Sequence, residues 1–229
     1  MSVRTETHCE RRMAPSGLWN NSLMMTRRTW ILSVVAPLCA ALGGFWLARE
    51  LDSSGPELAS GTWLPQPKPI TDFHLTDHRG FPFWLHDLQG RPALVFFGFT
   101  HCPDVCPTTL AKLAQIKKIA AIAGLQVLFV TVDPARDTTA VLGPYVHAFD
   151  PDFIGLTSDN QTILKMAANF GVAVNKIDLP DGDYVMDHSA VVFLLNGHGQ
   201  IAGIFTPPFD TAKFAKDLAR AAPYLTRTK

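Results

Sequence analysis

Arg91 to Gly98 contains an unbroken apolar run, Ala-Leu-Val-Phe-Phe, which leaves no polar face for water. Such a segment has to be a strand covered on both sides, as the inner strands of parallel sheets are. Directly after it come Cys102 and Cys106, within Phe99-Thr100-His101-Cys102-Pro103-Asp104-Val105-Cys106-Pro107. Leu110, Leu113, Ile116, Ile119 and Ala120 then recur at helical spacing, so Pro107 to Ala123 is expected as a helix that Gly124 stops. Leu125 to Val132 reads as a second buried strand. The two thiols thus fall at the carboxyl-terminal end of the first central strand, where open α/β sheets place their sites.

The remaining pattern completes the fold class. Thr138 to Phe149 and Asn160 to Phe170 read as helices, and Asp210 to Ala222 as an amphipathic closing helix. Ala190 to Leu195 and Gln200 to Phe205 form a hairpin around Asn196-Gly197. Phe73 to Leu85 adds an N-terminal hairpin turning at Arg79-Gly80. This order is that of an α/β thioredoxin-like domain with an N-terminal hairpin extension, expected over residues 70–229. That length suits one compact domain, and no internal repeat is visible.

Ahead of the domain, Trp30 to Ala48 carries no charge. As a helix it reaches about 28 Å at roughly 1.5 Å per residue, close to the thickness of a bilayer's hydrocarbon core. Arg27 and Arg28 precede it and Glu50 and Asp52 follow, so the positive-inside rule places residues 1–29 in the cytoplasm. Competing with this anchor is a cleaved export signal, which the twin arginine favours. No small-x-small cleavage site is convincing, and Leu38 before Cys39 does not suit a lipoprotein signal. The expectation is therefore a single uncleaved transmembrane helix, 30–48, in a bacterial-type inner membrane, with the functional domain in the periplasm. Met24 or Met25 offers an alternative start. Residues 49–69, rich in Gly, Ser and Pro, read as a flexible linker. Formal charge balances to zero, which argues against nucleic acid as a partner.

The thiols carry the chemistry. Pro107 disfavours helical geometry at Cys106, so Cys106 is expected as the helix cap and Pro107 as the first helical residue. Both sulfurs would lie near the positive end of the helix dipole, which favours thiolate. Metal binding and disulfide exchange both use a thiolate, so this step does not separate them. The loop is one residue longer than Cys-x-x-Cys, leaving room for an ion while still permitting a disulfide. Structural zinc would want four ligands, and no cysteine other than these two follows Cys39. Cu(I) accepts two thiolates and one imidazole. His188, in Asp187-His188-Ser189 just before Val191 to Leu195, is placed to return to the sheet rim, with Asp187 and Ser189 available to orient its ring. His101 is its rival; His74, His78, His86, His147 and His198 read as loop or surface residues.

Gly98 to Leu110, with both cysteines, resembles the signature of the SCO/SenC proteins, copper-binding assembly factors for cytochrome c oxidase. Val132-Asp133-Pro134-Ala135-Arg136-Asp137-Thr138 resembles the family's second motif, and Asp187-His188-Ser189 its third. Thr139 stands where a proline commonly follows the second motif. The resemblance implies copper bound by Cys102, Cys106 and His188, as Cu(I) or Cu(II), with Asp133 supporting the site. Asp133 has an equally good reading as a turn cap, while Arg136 and Asp137 are expected to pair or cap locally.

Two functions follow. The first is a membrane-anchored copper metallochaperone that receives copper from a donor and helps build the CuA centre of cytochrome c oxidase subunit II, or supplies another copper-receiving protein. The second is a thiol-disulfide oxidoreductase that reduces the oxidase subunit's cysteines before metallation, using Cys102 and Cys106 without His188. A peroxiredoxin-like peroxidase would want Pro-x-x-x-Thr/Ser-x-x-Cys, which neither cysteine satisfies.

Overall fold

The computed structural model describes residues 37–45, 55–180 and 182–226. The expected cytoplasmic segment 1–29 lies outside them, as does most of the expected span 30–48. Residues 37–45 are helical, with Leu38, Leu42 and Phe45 exposed. Among the described residues no helix is long and apolar enough to cross a membrane.

The elements of the domain are β1 (Gly61–Lys68), β2 (His74–Asp77), β3 (Pro82–Trp84), β4 (Ala93–Gly98), α1 (Val105–Ala120), β5 (Gln126–Thr131), α2 (Thr139–His147), β6 (Ile154–Thr157), α3 (Asn160–Phe170), β7 (Val174–Asp178), β8 (Tyr184–His188), β9 (Val192–Leu195), β10 (Ile201–Phe205) and α4 (Thr211–Leu225). The main sheet runs β1-β10-β9-β4-β5-β6-β2-β3. Its centre, β4-β5-β6, is parallel, and β9 joins β4 antiparallel. Every residue of β4 is buried, as its apolar run demands. Phe96 and Phe97 point to opposite faces; Phe96 meets the ring of Phe129, while Phe97 meets Phe170 and Phe193. Helices α1 and α4 pack together. The architecture is the expected α/β thioredoxin-like one, with the β2–β3 hairpin as its N-terminal extension.

Two expectations are corrected, and one element is new. The stretch 49–69 is not a tether throughout, because β1 pairs antiparallel with β10 at the sheet edge. The cause is distant in sequence: Asp217 of α4, fully buried, accepts hydrogen bonds from the backbone N–H of Ala59 (3.0 Å) and Ser60 (2.7 Å) and from Ser60 Oγ (2.7 Å). Helix α1 ends at Ala120 rather than near Gly124. Ala121 takes a left-handed φ of 48°, and its N–H still bonds the Lys117 carbonyl at 3.1 Å. The new element is a separate two-stranded sheet that includes His188, in which β7 and β8, among the described residues, pair with each other alone.

The β2–β3 turn shows how a polar group substitutes for core. Asp77 accepts the backbone N–H of Arg79 (2.8 Å) and Phe81 (3.0 Å) and both guanidinium contacts of Arg79. Burial alone would raise its carboxyl, but Arg79 and these N–H groups outweigh burial and hold it below the usual carboxylate range. The stabilisation is therefore complete above the unfolded value of about 4 and is lost as pH falls through the lower folded one.

Two outcomes are expected. The melting-temperature gap between the native protein and Asp77→Asn should narrow between about pH 6 and about pH 3, read by thermal unfolding at each pH. Asp217→Ala should cost at least about 2 kcal/mol in urea unfolding, because it strands donors that had bonded a charged group. The same substitution should open β1 to limited proteolysis.

Candidate metal centre

The cysteine loop is built on a glycine. A Cβ at Gly98 would lie 2.6 Å from the Phe129 ring and 3.0 Å from Cys106 Sγ. Only the bare backbone at the end of β4 lets the buried sulfur seat against the sheet. Helix α1 begins at Val105, with Asp104 preceding it, so Cys106 is its second residue and not its cap. Pro107 is tolerated because first-turn N–H groups have no partner within the helix; the first bond is donated by Thr108 N–H to the Asp104 carbonyl at 3.1 Å.

The thiols differ in environment. Cys102 is half-buried in the loop, and its Sγ accepts the Cys106 N–H at 3.4 Å. Cys106 is fully buried. Its burial pushes the thiol pKa well up, beyond any gain from the helix dipole. Burial thus works against the expected dipole-stabilised thiolate at Cys106 and favours the protonated sulfur.

His188 lies across from Cys106, with Nε2 at 3.7 Å from its Sγ. Nδ1 lies 3.3 Å from the Ser189 carbonyl, to which it donates, leaving the Nε2 lone pair directed at the sulfur. Ser189 therefore orients the ring through its main chain, while the Asp187 side chain is exposed. Phe96 and Phe99 meet the imidazole edge-on, at 6.3 Å and 5.9 Å between centroids. Burial among these rings lowers the His188 pKa and keeps it neutral. Two sulfurs and a neutral imidazole suit a soft monovalent ion. Among the described residues no three His, Cys, Asp or Glu side chains are grouped closely enough to form a ready metal set.

His101 is exposed, its Nδ1 lying 3.2 Å from Thr100 Oγ1. Three further histidines are engaged elsewhere: His74 stacks on Trp84, and His78 accepts the Gly155 N–H and meets the His147 ring. A cavity of about 740 Å³ beside His78 and Arg79 touches none of Cys102, Cys106 and His188. A smaller one, about 550 Å³, is lined by Asp133, Tyr184 and Met186 and likewise touches none of the three.

Sequence reasoning undervalued what supports the loop. Asp137, fully buried, accepts Thr100 N–H (3.0 Å), Thr100 Oγ1 (2.6 Å) and Thr131 Oγ1 (2.7 Å). Asp133 is buried too, but it accepts from Tyr184 OH at 2.9 Å and from Arg136 Nε rather than capping a turn with its carboxylate. The only available signal was the acidic pair in Asp133-Pro134-Ala135-Arg136-Asp137, directly after an apolar strand.

A family model described as SCO1/SenC matches residues 64–223. The chain is similar to the mitochondrial SCO2 homolog of Bos taurus, 37% identical over 194 residues that cover 82% of this chain and 71% of that one. It is similar in structure to copper-bound ScoI of Arabidopsis thaliana, with a TM-score of 0.65 and 30% identity over 68% of this chain and 98% of that one. Copper-bound ScoI of Bradyrhizobium japonicum gives a TM-score of 0.61 and 36% identity over 66% and 98%. The match runs from β1 to α4 and takes in the thiol loop, the acidic turn after β5 and the histidine hairpin, and on that extent the chain belongs to the SCO1/SenC family.

Proposed function

We propose that this protein is a membrane-tethered copper metallochaperone. It holds one copper ion through Cys102, Cys106 and His188 and assists assembly of the CuA centre of cytochrome c oxidase. The observation that carries the reading is the approach of the His188 Nε2 lone pair to Cys106 Sγ at 3.7 Å, with the Cys102 sulfur bonded to the Cys106 N–H from the preceding loop. The copper-bound relatives support it. Residues 30–48 would hold the protein in the cytoplasmic membrane, with the domain on the periplasmic side. Subunit II of the oxidase, or another copper-receiving protein, would take the cargo that a separate donor supplies.

Copper is the cargo, and the protein's own groups set the terms of loading. Cys106 gives up a proton that burial had held on it, whereas His188 is already neutral and gives up none. Thiol-disulfide exchange with a partner's disulfide, which takes up the two electrons and becomes two thiols, would join Cys102 to Cys106, remove the donors and release the ion. The same pair could instead reduce a partner's cysteines. A thiol held protonated is a poor nucleophile, so in that reading the half-buried Cys102 makes the attack.

Anaerobic Cu(I) titration of the reduced protein against a competing chelator should give one equivalent bound tightly. His188→Ala should weaken it by more than about tenfold, the least expected when even an outer partner of a ligand is lost. Indifference to His188, with disulfide exchange toward the oxidase subunit intact, would favour the reductase. Apparent Cu(I) affinity should also rise by at least about tenfold per pH unit near neutrality, since a Cys106 proton leaves on binding. Calorimetric titration in two buffers of different ionisation enthalpy reads that proton directly.

A further inference from the structure

His188 sits at the end of a hairpin that, among the described residues, makes no strand pairing with the main sheet and meets it through side chains alone. β7 and β8 pair only with each other, and an isolated two-stranded ribbon is marginal in water. Something else must fix its height above the thiols. Side chains at alternate positions of a strand share a face, so Tyr184, Met186 and His188 lie on the same side of β8. Tyr184, at the far end of that row, is gripped. Its OH donates to Asp133 at 2.9 Å. The Arg136 guanidinium carbon lies 3.7 Å from its ring centroid, and the Lys176 ammonium 4.3 Å from it. Arg136 also bonds Asp133 through Nε and Asp183 through Nη1, the latter at 3.1 Å.

Asp133 and Arg136 belong to the same short turn, Thr131 to Asp137, whose last residue bonds the cysteine loop at Thr100. One turn therefore grips the thiol loop at one end and the histidine hairpin at the other. We propose that Tyr184, held by Asp133 and Arg136, is a positioning residue that sets the reach of the His188 imidazole toward Cys106. The inference rests on the three-donor copper reading and names what sets the third donor in place. Tyr184→Phe keeps the ring under Arg136 and removes only the hydrogen bond to Asp133.

The test is a double-mutant cycle on the reduced full-length protein, with Cu(I) affinity read against a chelator. Tyr184→Phe should weaken binding about tenfold, the lower end of the loss when a ligand's outer partner is removed. In a His188→Ala background the same substitution should change affinity less than about twofold, because no imidazole is left to misplace. A metal-free readout accompanies it: Tyr184→Phe should shift and broaden the His188 imidazole cross-peaks in 1H–15N spectra, leaving those of His74, stacked on Trp84, in place. Equal weakening in both backgrounds would make Tyr184 a general prop and overturn the proposal, as would unchanged His188 signals. If His188→Ala alone leaves affinity untouched, the three-donor reading falls first and takes this one with it.

Discussion

The carboxylate of Asp137 is fully buried, with no lysine or arginine bridged to it among the described residues, and stands on three hydrogen bonds from Thr100 and Thr131. A buried carboxylate left short of partners would be costly, so these bonds are obligatory. Because two of them come from Thr100, the chain leaving β4 is tied to the chain leaving β5 just where both emerge from the sheet. The cysteine loop inherits its position from that tie. A loop without it would have to order itself against conformational entropy of about 1–2 kcal/mol per residue.

Competition between burial and the helix dipole decides the character of the sulfurs. The dipole favours an anion at the start of α1, yet Cys106 lies beneath that end, against Gly98 and Phe129, where no water reaches. Desolvation prevails, and the two cysteines become chemically unequal: Cys102 lies open to a partner, and Cys106 is a protected thiol that changes form only when an ion or a bond replaces its proton. The imidazole opposite follows the same logic and stays neutral. Burial thus favours the uncharged form of both facing donors, Cys106 and His188.

Much of this was readable from residues alone, for identifiable reasons. Ala93 to Gly98 announces a central strand because no other placement hides five apolar side chains. Residues 160–170 announce a helix because Asp159 caps it locally, accepting the Thr162 N–H at 3.0 Å. That His188 returns to the rim near the cysteines follows from its place before a buried strand. β1 was hidden because Gly61, Pro65 and Pro67 look like linker, and what orders them is Asp217, 157 positions beyond Ser60. β7 was hidden because four of its five residues are exposed and carry no periodic signal. The protonated Cys106 was hidden because desolvation belongs to the assembled core and to no motif.

The hydrogen bond from Cys106 N–H to Cys102 Sγ gives the open cysteine a second duty. Asp104 makes no side-chain bond to the backbone of α1, its carboxylate instead taking the Thr108 hydroxyl, so at the mouth of the helix a sulfur stands in for a capping oxygen. Whatever bonds that sulfur draws electron density out of the cap. The Cys106 amide and the Cys102 sulfur are thereby linked, and a bond newly formed at the sulfur changes the partner of the amide.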